Sequence, residues 1–457
     1  MNPQAPGQMP QVVVVGAGFG GLSFARKFPS RLAELTIIDR QNHHVFQPLL
    51  YQVATAALAA VDIAQPVRGL FGARPNLQVM MSEVTGIDLA NRRVVHERGE
   101  MGYDYLVVAA GATTSYFGHD EWERHAPGLK GLDDALRIRR QILLSLERAE
   151  TECDPAKREQ AMTIIVVGGG PTGVELAGAC AELTRCVVRK DFDHIDPRKV
   201  RVLLIQGGDR VLPTFHESLS ASAQKQLEAR GVEVVTGKHV EAVLPGAVVV
   251  GGQTIRADSI IWAAGVRAVP LARKLGVATD RGGRVLVNPD LSIPGHPEVF
   301  AIGDVATLKD ANGVEVPGVA QAAMQMGRHV AGVIEAELRA RQEGADGAHD
   351  FARTAFTFHD KGSMATIGRS AAVAEIGKMR LSGFLAWLAW GSVHLLFLIG
   401  FRNRFSVLMQ WLYSYFTFKS GARIITGGPG EAPADRQLSS SPAASHETAD
   451  PRPAAIH

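Results

Sequence analysis

Gly16, Gly18 and Gly21 stand in the order that lets a backbone close on a pyrophosphate, and Gly168, Gly170 and Gly173 repeat that order later in the chain. Such a triplet supplies a tight turn, an open approach for phosphate and a close-packed helix whose N-terminus faces the anion. A lone pattern of this kind is weak. Here Asp39 follows the first triplet at about 20 residues, the spacing at which an acid accepts ribose hydroxyls. After the second triplet the nucleotide-selecting position is Gln206, a neutral amide. A carboxylate there would repel a 2′-phosphate, so NADPH stays open beside NADH.

The elements around these residues are strand, turn and helix in both places. Residues 12–15 and 164–167 are β-branched apolar runs, and helix-like apolar stretches begin at Leu22 and Val174. Residues 35–38 read as a second strand leading into Asp39, and 202–205 do the same before Gln206. Val84-Thr85-Gly86 is matched by Val235-Thr236-Gly237, and 105–111 by 259–265, all at an offset of roughly 150 residues. The near-constant offset implies two copies of one domain, each with its own dinucleotide site. Between them, 93–96 and 247–250 fit a small inserted antiparallel sheet.

Composition bounds what such a chain can do. With 457 residues it is too long for one ordinary core. A formal charge of +2 and no long basic run disfavour nucleic-acid binding. Cys153, Cys180 and Cys186 are too few for a disulfide framework and suggest a reducing compartment. Cys180 and Cys186 fall on the helix after the second triplet, where small buried side chains pack. No Cys/His cluster has metal-ligand spacing. Residues 1–10 lack the basic and apolar regions of a signal peptide. Residues 427–457 turn to Gly, Pro, Ala, Ser and acids, the composition of a disordered tail.

Residues 298–304, Glu-Val-Phe-Ala-Ile-Gly-Asp, add a late glycine–aspartate motif, and with it the chain resembles the two-dinucleotide-binding-domain flavoproteins, a glutathione-reductase-like α/β class with two Rossmann-like domains. Within that superfamily it looks most like type II NADH dehydrogenase, the non-pumping NADH:quinone oxidoreductases. The specific parts are 43–54, 168–175, 319–327 and 360–369. The resemblance implies FAD held by Gly16, Gly18, Gly21, Asp39, Arg40, Phe46, Gln47, Ala110, Gly111, Asp304, Ala320 and Gln321. It implies NADH held by Gly168, Gly170, Gly173, Glu175, Gln206 and Gly265. Glu175 would orient the nicotinamide. Gln321 and Gln325, at i and i+4 on one helix face, would meet a quinone, and Lys361 would lie near the isoalloxazine. The same resemblance divides the chain into a discontinuous FAD domain (11–115 and 285–345), a helical connection (116–159), an NAD(P)H domain (160–284) and a C-terminal membrane-anchoring region (346–426). Residues 40–60 hold no cysteine pair, and no cysteine follows Cys186, which disfavours disulfide reductases and sulfide:quinone oxidoreductases.

Residues 381–401 carry no charged side chain and by length alone could span a bilayer. Gly391, Ser392 and His394 interrupt them, and 405–418 add aromatics beside Lys419 and Arg423. That mixture favours helices lying in the interface, with a true span, or a buried core or dimer interface, as the other readings. A peripheral protein on the cytoplasmic face of the cell membrane follows, with a homodimer left open. The rival reading is a soluble NAD(P)H-dependent reductase of a protein acceptor such as ferredoxin.

Overall fold

The computed structural model describes residues 9–185, 191–343, 352–417 and 422–425. A six-stranded sheet runs in the order Ser292–Ile293, His296–Ala301, Tyr105–Val108, Gln11–Val15, Glu34–Asp39, Leu77–Met81, and all but the first of these pair in parallel. A four-stranded parallel sheet repeats its centre: Val232–Thr236, Arg201–Gln206, Thr163–Val167, Ser259–Trp262. Val12, Val13 and Val14, like Ile165 and Val166, are fully buried. Parallel strands covered on both faces must be apolar throughout, which is why these runs do not alternate.

The duplication is real in both sheets, but one landmark of it was mispaired. Val84-Thr85-Gly86 belongs to the strand Val84–Asp88, which pairs antiparallel with Arg93–His96, whereas Val235 and Thr236 end a strand of the parallel sheet. The counterpart of Val232–Thr236 is Leu77–Met81, at the same place in the sheet order. A three-residue match carries no information on the strand's partner, and the two connections differ enough in length to shift it. The inserted sheets themselves are present: Arg93–His96 is the middle strand of one, Ala247–Val250 of the other.

Two features bring the copies together. The chain leaving Gly111 forms Ala112–Thr114, which pairs antiparallel with Val266–Ala268, the stretch leaving Gly265. The Trp262 indole N–H then donates to the Ser115 carbonyl at 2.9 Å. The helix Ala320–Gln342 packs across Phe19–Lys27, and a Cβ on Gly327 would lie 2.3 Å from the Gly20 carbonyl oxygen, so glycine is needed for that approach.

The C-terminal region is a three-stranded antiparallel sheet, Ser363–Gly368, Ala371–Ile376 and Met379–Ser382, followed by helices Phe384–Phe397 and Phe401–Thr417. The uncharged run 381–401 is therefore not one element. Its first residues close the sheet, Gly383 at φ +74° turns the chain, and Gly400 at φ +89° turns it again. No described helix is long and apolar enough to cross a membrane. Ala386, Trp390, Leu398 and Val407 are buried with the core, while Phe384, Leu385, Leu396, Phe401 and Phe416 are exposed. The expectations for Cys186 and for 427–457 fall outside the described residues.

Candidate functional site

The two glycine turns are built alike. Gly16 and Gly168 sit at φ +108° and +111°, and a Cβ on them would lie 2.4 Å from the Ala109 carbonyl oxygen and 2.6 Å from the Ala263 carbonyl carbon. Gly21 and Gly173 are closed off by the carbonyls of Gly16 and Gly168, at 1.9 and 1.7 Å from an added Cβ. The middle glycines, Gly18 and Gly170, face open space. Each cap therefore leaves its first helical N–H groups accessible to an anion.

The residues that follow the second strands do the same backbone work with different charge. Asp39 accepts from the Ala17 N–H at 2.6 Å and from Gln41 N–H at 2.7 Å. Burial pushes its carboxyl up, and the two N–H donors pull it back. Gln206 accepts from the Gly169 N–H at 2.8 Å through its side-chain oxygen, so its NH₂ remains a donor. It lines a cavity of about 260 Å³ with Gly207, Lys238, His239, Glu241 and Trp262. Arg40 is exposed beyond Asp39.

Beside the first turn the His44 ring is buried, with Nδ1 3.0 Å from the Ala17 carbonyl and the Phe19 ring 5.0 Å away. Burial pushes its pKa down to about 4, so it is neutral near pH 7. Its Nε2 has no partner among the described residues. A buried, unpaired ring nitrogen next to an open glycine cradle fits a bound dinucleotide whose oxygens would satisfy it. In the sequence His44 is only one residue of the stretch 43–54, since a lone histidine carries no signal of its own.

One smaller cavity, about 130 Å³, takes walls from both copies: Gln47, Tyr51, Thr114 and Lys130 from one side, Thr172, Glu175, Trp262 and Gly265 from the other. Phe46 is buried just behind it, edge-on to Phe19 at 5.9 Å and to His394 at 6.2 Å. Glu175 lies in the helix Pro171–Leu183, whose Gly178 would place a Cβ 2.0 Å from the Ile367 carbonyl oxygen. That contact seats the C-terminal sheet on the helix, and Thr366 N–H reaches the Glu175 carboxyl at 3.4 Å. Burial raises Glu175 to about 8. Near pH 7 it is thus mostly protonated, able to donate a hydrogen bond.

Asp304 occupies the turn Gly303–Val305, just past the first sheet's strand His296–Ala301, and Ala110 and Gly111 follow the neighbouring strand Tyr105–Val108. The helix beginning at Ala320 starts close by. Gln321 and Gln325 share one face of it as expected, but their amides are engaged by the chain. Gln321 donates to Asp360 Oδ1 (3.0 Å) and the Gly362 carbonyl (3.2 Å) and accepts from Lys361 N–H (2.9 Å). Gln325 both donates to the His359 carbonyl and accepts from its N–H, each at 3.0 Å. Lys361 places its ammonium 5.8 Å from the Phe397 ring centroid and does not line the shared cavity. Cys180 is fully buried, with its thiol pushed up to about 12, which fits packing rather than nucleophilic chemistry.

Residues 10–327 match the family model for pyridine nucleotide-disulphide oxidoreductase, and 360–418 match that for the NDH2 C-terminal domain. A protein of Mycobacterium tuberculosis named type II NADH:quinone oxidoreductase is 43% identical over 444 residues, 93% of each chain. An Arabidopsis thaliana internal alternative NAD(P)H-ubiquinone oxidoreductase is 29% identical, over 93% of this chain and 88% of its own. NDH2 of Plasmodium falciparum, solved in complex with NADH, superposes with a TM-score of 0.82 at 20% identity, over 92% of this chain and all of that one.

Proposed function

We propose a division of labour for the residues of this chain, which belongs to the type II NADH:quinone oxidoreductases. The protein is an FAD-dependent enzyme that takes hydride from NADH and passes two electrons to a quinone, without pumping protons. The observation that carries this reading is the cavity walled by both dinucleotide-binding copies, where a nicotinamide from one copy can meet a flavin from the other. When bound, FAD supplies the two-electron chemistry. The chain's residues hold it: Gly16, Gly18, Gly21 and Asp39 at the pyrophosphate and ribose, His44 Nε2 as an added donor or acceptor, and Asp304 with Ala110, Gly111 and Ala320 near the flavin. Gly168, Gly170, Gly173 and Gly265 take the nicotinamide dinucleotide, and Glu175 orients its ring. A reductase of ferredoxin is not favoured, because the relatives that match nearly end to end carry quinone names.

On the acceptor side, Gln321 and Gln325 act by holding the segment 359–362, and with it Lys361, against the flavin-domain helix. The exposed apolar side chains of the last two helices, flanked by Arg402 and Arg404, give the face for a membrane surface, from which quinone would enter. We place that face on the cytoplasmic side of the cell membrane and leave room for a homodimer. The deciding experiment is NADH oxidation by the purified protein with a soluble quinone analogue. Quinone reduction by NADH supports the reading; reduction of ferredoxin alone would overturn it.

A further inference from the structure

The cavity shared by the two copies contains one cation that no sequence motif announces. Lys130 lies between the connection from the first copy and the helix Leu132–Thr151, and its backbone is held on both sides. Its N–H donates to Asp134 Oδ2 at 3.0 Å, and its carbonyl accepts from Gln47 Nε2 at 3.3 Å. The Asp134 carboxylate also takes the Gly131 N–H at 2.8 Å, so the helix start fixes where the lysine stem leaves the chain. Gln47 is itself a cavity wall, and its bond to Lys130 ties that wall to the lysine.

The ammonium is another matter. Among the described residues it makes no hydrogen bond and no salt bridge. Burial lowers its pKa, and the field of Asp304 opposes that shift. The other ionisable wall residues, Glu175 and Tyr51, are both biased toward their neutral forms by burial. Among the described residues no carboxylate forms a salt bridge with the ammonium, and Asp304 acts on it only through its field. A desolvated, unpaired ammonium is costly unless a ligand brings negative charge or acceptors to the spot.

We propose that Lys130 is a positioning and electrostatic residue of the reaction centre, placed so that its ammonium faces the negative charge that arises on the flavin when hydride arrives. The proposal rests on the reading of this cavity as the meeting place of nicotinamide and flavin. Hydride carries two electrons and one proton, leaving NAD⁺ and adding one negative charge to the flavin. The quinone then takes the two electrons with that proton and one from water. A fixed cation beside the flavin favours the reduced form before the quinone arrives, by preorganised electrostatics rather than by proton transfer. Lys361, which the family resemblance sets near the isoalloxazine, stands outside the shared cavity with its ammonium over Phe397.

The test is the midpoint potential of the bound flavin, read by equilibration with a redox dye, in wild type, Lys130→Met and Lys130→Arg. Loss of the charge in Lys130→Met should shift the reduced-to-oxidised balance about tenfold, a drop of about 30 mV for a two-electron couple. Lys130→Arg should recover most of it. A Lys130→Met potential equal to wild type overturns the proposal, and so does an unchanged potential with weakened NADH binding, which would make Lys130 a nucleotide ligand. Should Lys130→Met fail to retain flavin, Lys130→Gln reconstituted with added FAD gives the same reading. A wild-type protein whose flavin is not reduced by NADH at all would sink the functional reading itself, a result separable from these.

Discussion

The two dinucleotide-binding copies share one backbone plan and differ where chemistry needs them to. Their glycine turns superimpose in logic: first and third glycines closed by backbone, middle glycine open. After the third glycine the first copy continues Leu22-Ser23 and the second Val174-Glu175, so only the second places an acid in its helix's first turns, at the shared cavity. At the ends of the second strands the first copy has Asp39, which accepts one N–H on each carboxylate oxygen, and the second has Gln206, which accepts one and keeps its NH₂. A fold fixes where the ligand's phosphates go. Single side chains at fixed places on it decide which ligand comes and what happens to it.

The comparison predicts its largest contrast at those strand ends. Asp39→Ala leaves two N–H groups without their acceptor, at about 1–3 kcal/mol for each group, and removes the acid proposed for the ribose, so it should yield protein without flavin. Gln206→Ala removes one acceptor in the other copy and should leave the flavin spectrum intact while weakening NADH. Flavin content by absorbance checks both; full flavin in Asp39→Ala would break the assignment of the first copy to FAD.

Glu175 sets a pH dependence with no counterpart at the matching position of the first copy, where Ser23 stands. Its folded pKa, about 8, lies above the unfolded value of 4.5, so between those values the folded state carries one more proton. Its contribution to stability is complete below about pH 4.5 and is lost as pH rises toward 8, with a slope of up to about 1.4 kcal/mol per pH unit. Denaturation of the nucleotide-free protein between pH 5 and 8 should show that fall, and Glu175→Gln should flatten it. An identical slope in the variant would show that Glu175 is ionised in the folded protein.

A smaller difference is expected for nucleotide choice. Gln206→Glu puts a negative charge where a 2′-phosphate would sit, so NADPH turnover should fall roughly tenfold more than NADH turnover. Equal losses would move the selector elsewhere along the cavity that Lys238 and His239 line.

The smallest predicted effect lies outside both copies' nucleotide sites. Gln325→Ala removes two hydrogen bonds to His359, each worth about 1 kcal/mol, and should slow quinone turnover several-fold. Stopped-flow reduction of the flavin by NADH should stay near wild type. If both half-reactions fell together, the glutamine would be supporting the flavin domain itself.

Much of this is legible in the sequence. Glycine spacing, β-branched runs and the acid after the second strand are local signals, because each is imposed by backbone geometry within one strand–turn–helix unit. They are enough to find the duplication, both glycine turns and the contrast between Asp39 and Gln206. The false match of Val84-Thr85-Gly86 shows the limit of the same method: local sequence cannot tell a parallel edge strand from a hairpin strand, since the partner decides. Only the tertiary structure made the shared cavity, with the unpaired Lys130 ammonium, the buried Glu175 seated by Gly178 on the C-terminal sheet, and the Gln321 and Gln325 amides committed to 359–362. Charge state and hydrogen-bond partner depend on what is packed alongside from distant parts of the chain, and that proximity is a property of the folded molecule alone.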